Sequence, residues 1–143
     1  MSLVWLISDS HTRHKELSIP EVDMVIHTGD AANSRALDRN LAEFEAFNDW
    51  FRYLPIKYKV FVPGNHDLVI DALPSIRQLC QYPVLIHETI EIEGLKIFGS
   101  PYTPAFGNWA FNVRRDRLHD YWQQIPEDCD ILCSHGPARG FLD

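Results

Sequence analysis

Apolar runs of four to six residues recur along this chain, and most of them are closed by a short polar cluster. Residues 3–7 form the first run, continuous rather than alternating, which predicts a strand buried on both faces. Residues 22–27 form a second, closed by Thr28-Gly29-Asp30, and residues 58–62 a third, ended by Pro63-Gly64. Between the second and third the period changes. Leu37, Leu41, Phe44, Phe47, Phe51 and Leu54 recur at spacings of four and three, the stripe of an amphipathic helix over 34–54. Asp38, Arg39, Glu43, Glu45 and Asp49 lie off that stripe and should face water. Asn33 or Ser34 is placed to cap the helix, and Pro55 helps end it.

Further along, Asp71 or Ser75 is expected to open a short helix through Cys80. Residues 84–87, 88–92 and 95–99 read as strands, the last two joined by a tight hairpin with Glu93-Gly94 at the turn. Residues 101–108 read as a loop, and 113–124 as a helix with Leu118 and Trp122 inward. A final strand, 130–133, leads into His135. Strands alternating with helices imply a parallel sheet covered by helices, an α/β fold. No repeat, low-complexity stretch or interdomain linker interrupts it, so residues 1–143 read as a single domain.

In such sheets ligands gather outside the carboxyl ends of the strands, where four polar clusters fall: Asp9-Ser10-His11, Gly29-Asp30, Gly64-Asn65-His66-Asp67 and Ser134-His135-Gly136. Asp9 and His11, two residues apart, can reach one ion from an extended turn. Asp30 follows a glycine that lets the backbone turn sharply, and is a candidate carboxylate bridge between two ions. Asn65 can give its carbonyl oxygen to a metal. That leaves His66 to act as an acid, with Asp67 orienting it or raising its pKa. His135 is the fourth strand-end candidate. His27 is expected to be a core or supporting group, and His14, His87 and His119 to be structural or surface residues. Phe106, Trp109 and Phe111 read as a loop core, with a rim position near the site as the alternative.

Composition narrows the class. The net charge of −7 argues against a nucleic-acid backbone as partner, and carboxylates at a metal site would account for part of it. Three cysteines, an odd number without a C-x-x-C pair, point to a reducing compartment, with Cys133 as a small buried hydrophobe. No basic leader and no run of membrane-spanning length is visible, so a cytoplasmic protein is expected. Oxygen and nitrogen ligands without thiolate suit two divalent ions, with Mn, Fe and Zn left open.

The order D-x-H, G-D, G-N-H-[DE] and a later His resembles the calcineurin-like metallophosphoesterases. Residues 94–104 and 134–137 look like the branch related to class III cyclic-nucleotide phosphodiesterases. The resemblance implies an α/β/β/α sandwich. It also implies one metal held by Asp9, His11 and Asp30, a second by Asp30, Asn65 and His135, and His66 protonating the leaving oxygen or steadying the phosphoryl group. The implied activity is hydrolysis of a small phosphodiester or phosphomonoester by metal-activated hydroxide. The family's last motif, G-H-x-H, does not follow His135, since the chain stops at Asp143. The sandwich is therefore expected to be C-terminally truncated, with three protein ligands per ion and a second sheet open to self-association. The alternative is a catalytically degenerate metal-binding or scaffold protein.

Overall fold

The computed structural model describes residues 3–137. Its first three strands, β1 (Val4–Ile7), β2 (Met24–His27) and β3 (Tyr58–Phe61), pair in parallel in the order β1-β2-β3. Val4 lies opposite Met24, and Met24 opposite Tyr58. The strand at the centre has both faces covered, and all four of its side chains are buried. On one face, Val25 and Phe61 pack against the helix α1 (Leu37–Arg52). The phenylalanines of the predicted stripe meet them there: Phe47 stacks on Phe51 at 5.2 Å and lies 5.1 Å from Phe61.

The other face of this sheet meets a second one. After α2 (Leu68–Ala72) and a 3-10 segment (Pro74–Leu79) come β4 (Glu88–Ile92) and β5 (Leu95–Ser100). A two-stranded pair follows, β6 (Thr103–Pro104) and β7 (Asn112–Val113), then α3 (Leu118–Trp122) and β8 (Ile131–Ser134). The second sheet runs β4-β5-β8, antiparallel in its hairpin and parallel between β5 and β8. Ile92, Ile97 and Cys133 from it interdigitate with Met24, Ile26, Val60 and Val62. Behind it, Tyr121 of α3 packs on Tyr102 and on His87, whose ring lies 5.0 Å from Phe98. The layers are helix, sheet, sheet, helix: the expected α/β/β/α sandwich.

Several expectations change in detail. β1 ends its sheet instead of lying inside it, so Leu6 is 65% exposed despite the continuous apolar run. Residues 84–87 form no strand: Val84 makes a single bridge to Phe61, and His87 then takes a positive φ of 58° that breaks extended pairing. Neither Asn33 nor Ser34 caps α1; Ala36 occupies that place, and the carboxylate of Glu43 accepts the Asn33 and Ser34 N–H groups. The short helix expected to run through Cys80 forms as the 3-10 segment Pro74–Leu79, opened by Leu73 in place of Asp71 or Ser75, and a separate helix, α2, precedes it right after Asp67. Only Leu118–Trp122 of 113–124 is helical, because Arg114-Arg115-Asp116-Arg117 has no face to bury. Leu118 points inward as expected, whereas Trp122 is 36% exposed. The Glu93-Gly94 turn forms as expected, with φ of 52° and 78° at its two central residues, and Cys133 is buried. Among the described residues no helix is long and apolar enough to cross a membrane.

Phe47 joins α1 to the sheet and touches the rings of Phe44, Phe51, Phe61, His27 and Trp50. Phe47→Ala should cost about 3–5 kcal/mol, measured by urea denaturation, since so enclosed a site cannot collapse around the cavity.

Candidate metal centre

Parallel pairing brings the carboxyl ends of β1, β2 and β3 to one edge of the first sheet, and β8 delivers His135 there from the second. The loops lock to one another through their backbones. Asp9 N–H donates to Gly29 O (2.8 Å), His11 N–H to Asp30 O (2.9 Å), and Thr12 N–H to Ala31 O (2.9 Å). The chain turns through left-handed conformations at Asp9 (φ 53°), His11 (φ 40°) and Asp30 (φ 59°). Asp and His tolerate that region better than most residues, but the β-branched Thr12 (φ 69°) shares it, and four such positions at one site hold strain that the surrounding bonds must offset.

Asp67 supplies much of that offset. It was expected to orient His66, but its carboxylate is fully buried and turned to the backbone. Oδ2 accepts the Gly64 and Asp30 N–H groups (2.7 and 2.9 Å), and Oδ1 those of Ala31 and Ala32 (3.0 Å each). Those four bonds use the acceptor capacity of an ionised carboxylate, leaving nothing for an imidazole. Burial pushes its carboxyl up to about 6 against the pull of those donors. Gly29 and Gly64 pack against each other beside it. A Cβ on Gly64 would stand 2.2 Å from Asp30 Oδ1 and 2.6 Å from His135 Cε1, and Gly29 has a φ of 105° that only glycine adopts readily.

Three imidazoles then converge with a common orientation. Nδ1 of His11 faces Ala32 O (3.2 Å), that of His66 faces Asn33 O (3.2 Å), and that of His135 faces Thr28 O (2.8 Å). A carbonyl only accepts, so each Nδ1 carries the hydrogen, and Nε2 of the neutral ring presents a bare lone pair. His11 Nε2 lies 3.7 Å from Asp30 Oδ2 and 3.9 Å from Asp9 Oδ1. His135 Nε2 lies 3.3 Å from Asp30 Oδ1 and 2.9 Å from Asn65 Oδ1. Around His135 acceptors therefore face acceptors, an arrangement that a bound cation relieves. His11, Asp30 and His66 offer ligand atoms all within 4.8 Å of one another. The donor set fits divalent cations.

Comparison with known proteins agrees. The family model for calcineurin-like phosphoesterase matches residues 3–142. This chain belongs to the calcineurin-like phosphoesterase family. Human metallophosphoesterase domain-containing protein 1 is 33% identical, over 96% of this chain and 49% of that protein. A UPF0046 protein of Caenorhabditis elegans is 31% identical, over 96% of this chain and 51% of that protein. The probable rhamnogalacturonate lyase C of Emericella nidulans is 33% identical, over 99% of this chain and 14% of that protein. The chain thus spans about half the length of the first two relatives.

Of the residues singled out from the sequence, Asp9, His11, Asp30, Asn65, His66 and His135 come together. Asp9 stands at the exposed rim, and Asp67 lies beneath them. Sequence reading missed the carbonyls of Thr28, Ala32 and Asn33, which no side-chain pattern reveals. The three loop aromatics divide between the two expectations: Trp109, half-buried, takes the rim position with its ring centroid 4.0 Å from that of His66, Phe111 is core, and Phe106 is exposed. The remaining histidines divide as expected. His14 is buried against Phe47 and Trp50, and burial lowers its pKa. His87 meets Ser100 Oγ at 3.0 Å, and His119 is exposed. His27 supports the site from below: Gly29 N–H donates to its Nδ1 (3.2 Å), so its Nε2 hydrogen goes to Ser10 Oγ (3.1 Å).

Two outcomes follow from this geometry. Gly64→Ala should displace Asp30 and His135, costing about 1–3 kcal/mol of stability and most of the divalent-metal affinity, read by thermal melts with and without Mn²⁺. Burial holds His27 neutral, its pKa down at about 3 from 6.5. Below pH 6.5 the unfolded chain binds a proton that the folded chain refuses, so this group removes stability as pH falls toward 3. His27→Gln keeps a donor and an acceptor without the titration. Relative to the parent, metal-free His27→Gln should gain about 1.4 kcal/mol per unit as pH falls below 6.5, measured by urea denaturation.

Proposed function

We propose that this chain carries the centre of a phosphoester hydrolase in which Asp30 bridges two divalent cations. The observation that supports this reading is the division of Asp30: Oδ2 faces His11, and Oδ1 faces His135. Asp9 and His11 would complete one side, and Asn65 and His135 the other. Bound there, such cations would polarise phosphoryl oxygens and lower the pKa of a water to give hydroxide. Oxygen and nitrogen ligands suit Mn, Fe or Zn.

The chain's own residues do the rest. Asp30 is held rigid by its backbone bond to Asp67 and by the His66 N–H, which donates to Oδ1 at 2.8 Å. That backbone bond fixes the carboxylate between its partners and places the His66 ring at the mouth. The His66 and His11 rings meet edge to face with centroids 4.8 Å apart, and a ring nitrogen of His66 lies within 4.8 Å of ligand atoms on His11 and Asp30. In its imidazolium form His66 would hand the Nε2 proton to the leaving oxygen of a phosphodiester or phosphomonoester and steady the charge that develops. In-line attack on phosphorus would require no covalent intermediate with the chain. Three free cysteines fit a reducing, cytoplasmic setting for a small phosphoester substrate.

The test is calorimetric titration of metal-free protein with Mn²⁺, paired with hydrolysis of bis(p-nitrophenyl) phosphate. Two ions per chain and turnover are expected, with turnover falling about 100-fold or more in Asn65→Ala and His66→Ala. One ion or none, without turnover, would sink the reading.

A further inference from the structure

Two loops from distant parts of the chain meet over His66, and their junction carries a guanidinium. The first spans residues 33–36. Glu43 accepts the Asn33 and Ser34 N–H groups at 2.8 Å, and Asn40 Nδ2 donates to the carbonyls of Ser34 and His66 at 2.8 Å. The second spans residues 105–111. Its Ala110 N–H donates to the Asn65 carbonyl at 3.1 Å, and Asn112 Nδ2 donates to the Phe106 and Gly107 carbonyls. Trp109 on the second loop covers His66, ring planes 33° apart. Arg35 on the first sets its guanidinium carbon 3.9 Å from the Trp109 ring centroid.

Arg35 is exposed, and among the described residues no carboxylate pairs with it. Arg13, Arg39, Arg52, Arg77, Arg114 and Arg117 each have an Asp or Glu partner. Of the two arginines without such a partner among the described residues, Arg35 and Arg115, Arg35 is the one against Trp109 at the mouth of the metal centre. Contact with the ring face of Trp109 orients the guanidinium. It leaves the N–H groups at the guanidinium's edge unspent, because a ring face is no substitute for an oxygen. A planar fork of donors matches two oxygens of one phosphate. In a chain of net charge −7, a fixed cation at this place selects among anions.

We infer that Arg35 binds a second phosphate of the substrate, carried beyond the reacting phosphoester, so that this site prefers bisphosphorylated substrates. The inference rests on the phosphoesterase reading of the same centre. Its test is calorimetric: thymidine 3′,5′-bisphosphate and thymidine 5′-monophosphate are titrated into Mn²⁺-loaded protein, for the parent, Arg35→Met and Arg35→Lys. The parent should bind the bisphosphate about tenfold more tightly. Arg35→Met should erase that ratio. Arg35→Lys should keep part of it, since the charge remains without the fork. Equal affinities in the parent, or an unchanged ratio in Arg35→Met, would overturn the assignment. Hydrolysis of thymidine 5′-(p-nitrophenyl phosphate) in the same samples separates the two ideas. No turnover with the affinity ratio intact removes the catalytic reading and leaves Arg35 as an anion site. Turnover without the ratio removes Arg35 and leaves the catalysis.

Discussion

Everything at the metal centre hangs from one buried carboxylate. Asp67 gathers four backbone N–H groups from two loops, and those loops carry Asp30, Asn65 and His66. Hydrogen bonds to a charged acceptor are worth about 1.5–3 kcal/mol each. Taking a carboxylate out of water costs several kcal/mol. Burial raises the Asp67 pKa in spite of those donors, so the ionised group itself adds little to global stability. What it adds is shape: the Gly29-Asp30-Ala31 turn cannot relax without leaving a buried charge short of donors. The left-handed backbone at Asp30 persists for that reason.

Much of this was legible in the sequence, and the legible part has a common cause. Continuous apolar runs at 22–27 and 58–62, and the Phe44, Phe47, Phe51 stripe, each reflect burial repeated over several residues. Repetition gives a strong signal. The ligand clusters were readable because parallel strands oblige their carboxyl ends to share one edge, so polar residues after each run had to meet. What failed was decided by single tertiary contacts. Leu6 is apolar for a strand interior, yet its strand lies at the sheet edge. Val84 begins an extended run that His87 ends by turning left-handed.

The role of Asp67 misled for a related reason. Adjacent in sequence to His66, it suggested a carboxylate–imidazole pair, but consecutive residues in a tight turn point apart. Three of its four true partners, at 30, 31 and 32, are more than thirty positions away. Trp109 is similar: nothing in a Pro-, Gly- and aromatic-rich loop says which ring will reach the site. Only the tie between Ala110 and Asn65 decides it.

The imidazoles of His11, His66 and His135 are each aimed by a main-chain carbonyl, those of Ala32, Asn33 and Thr28 in turn. A carbonyl is present whatever the side chain. Where a carboxylate or amide does this job, one base change can delete the partner and let the ring turn. Here residues 28, 32 and 33 could vary in side chain without altering how the rings point, provided the backbone path is kept. The orientation of the site is thus insulated from substitution at the positions that create it, and its vulnerability is concentrated at Gly29, Gly64 and Asp67, which shape that path.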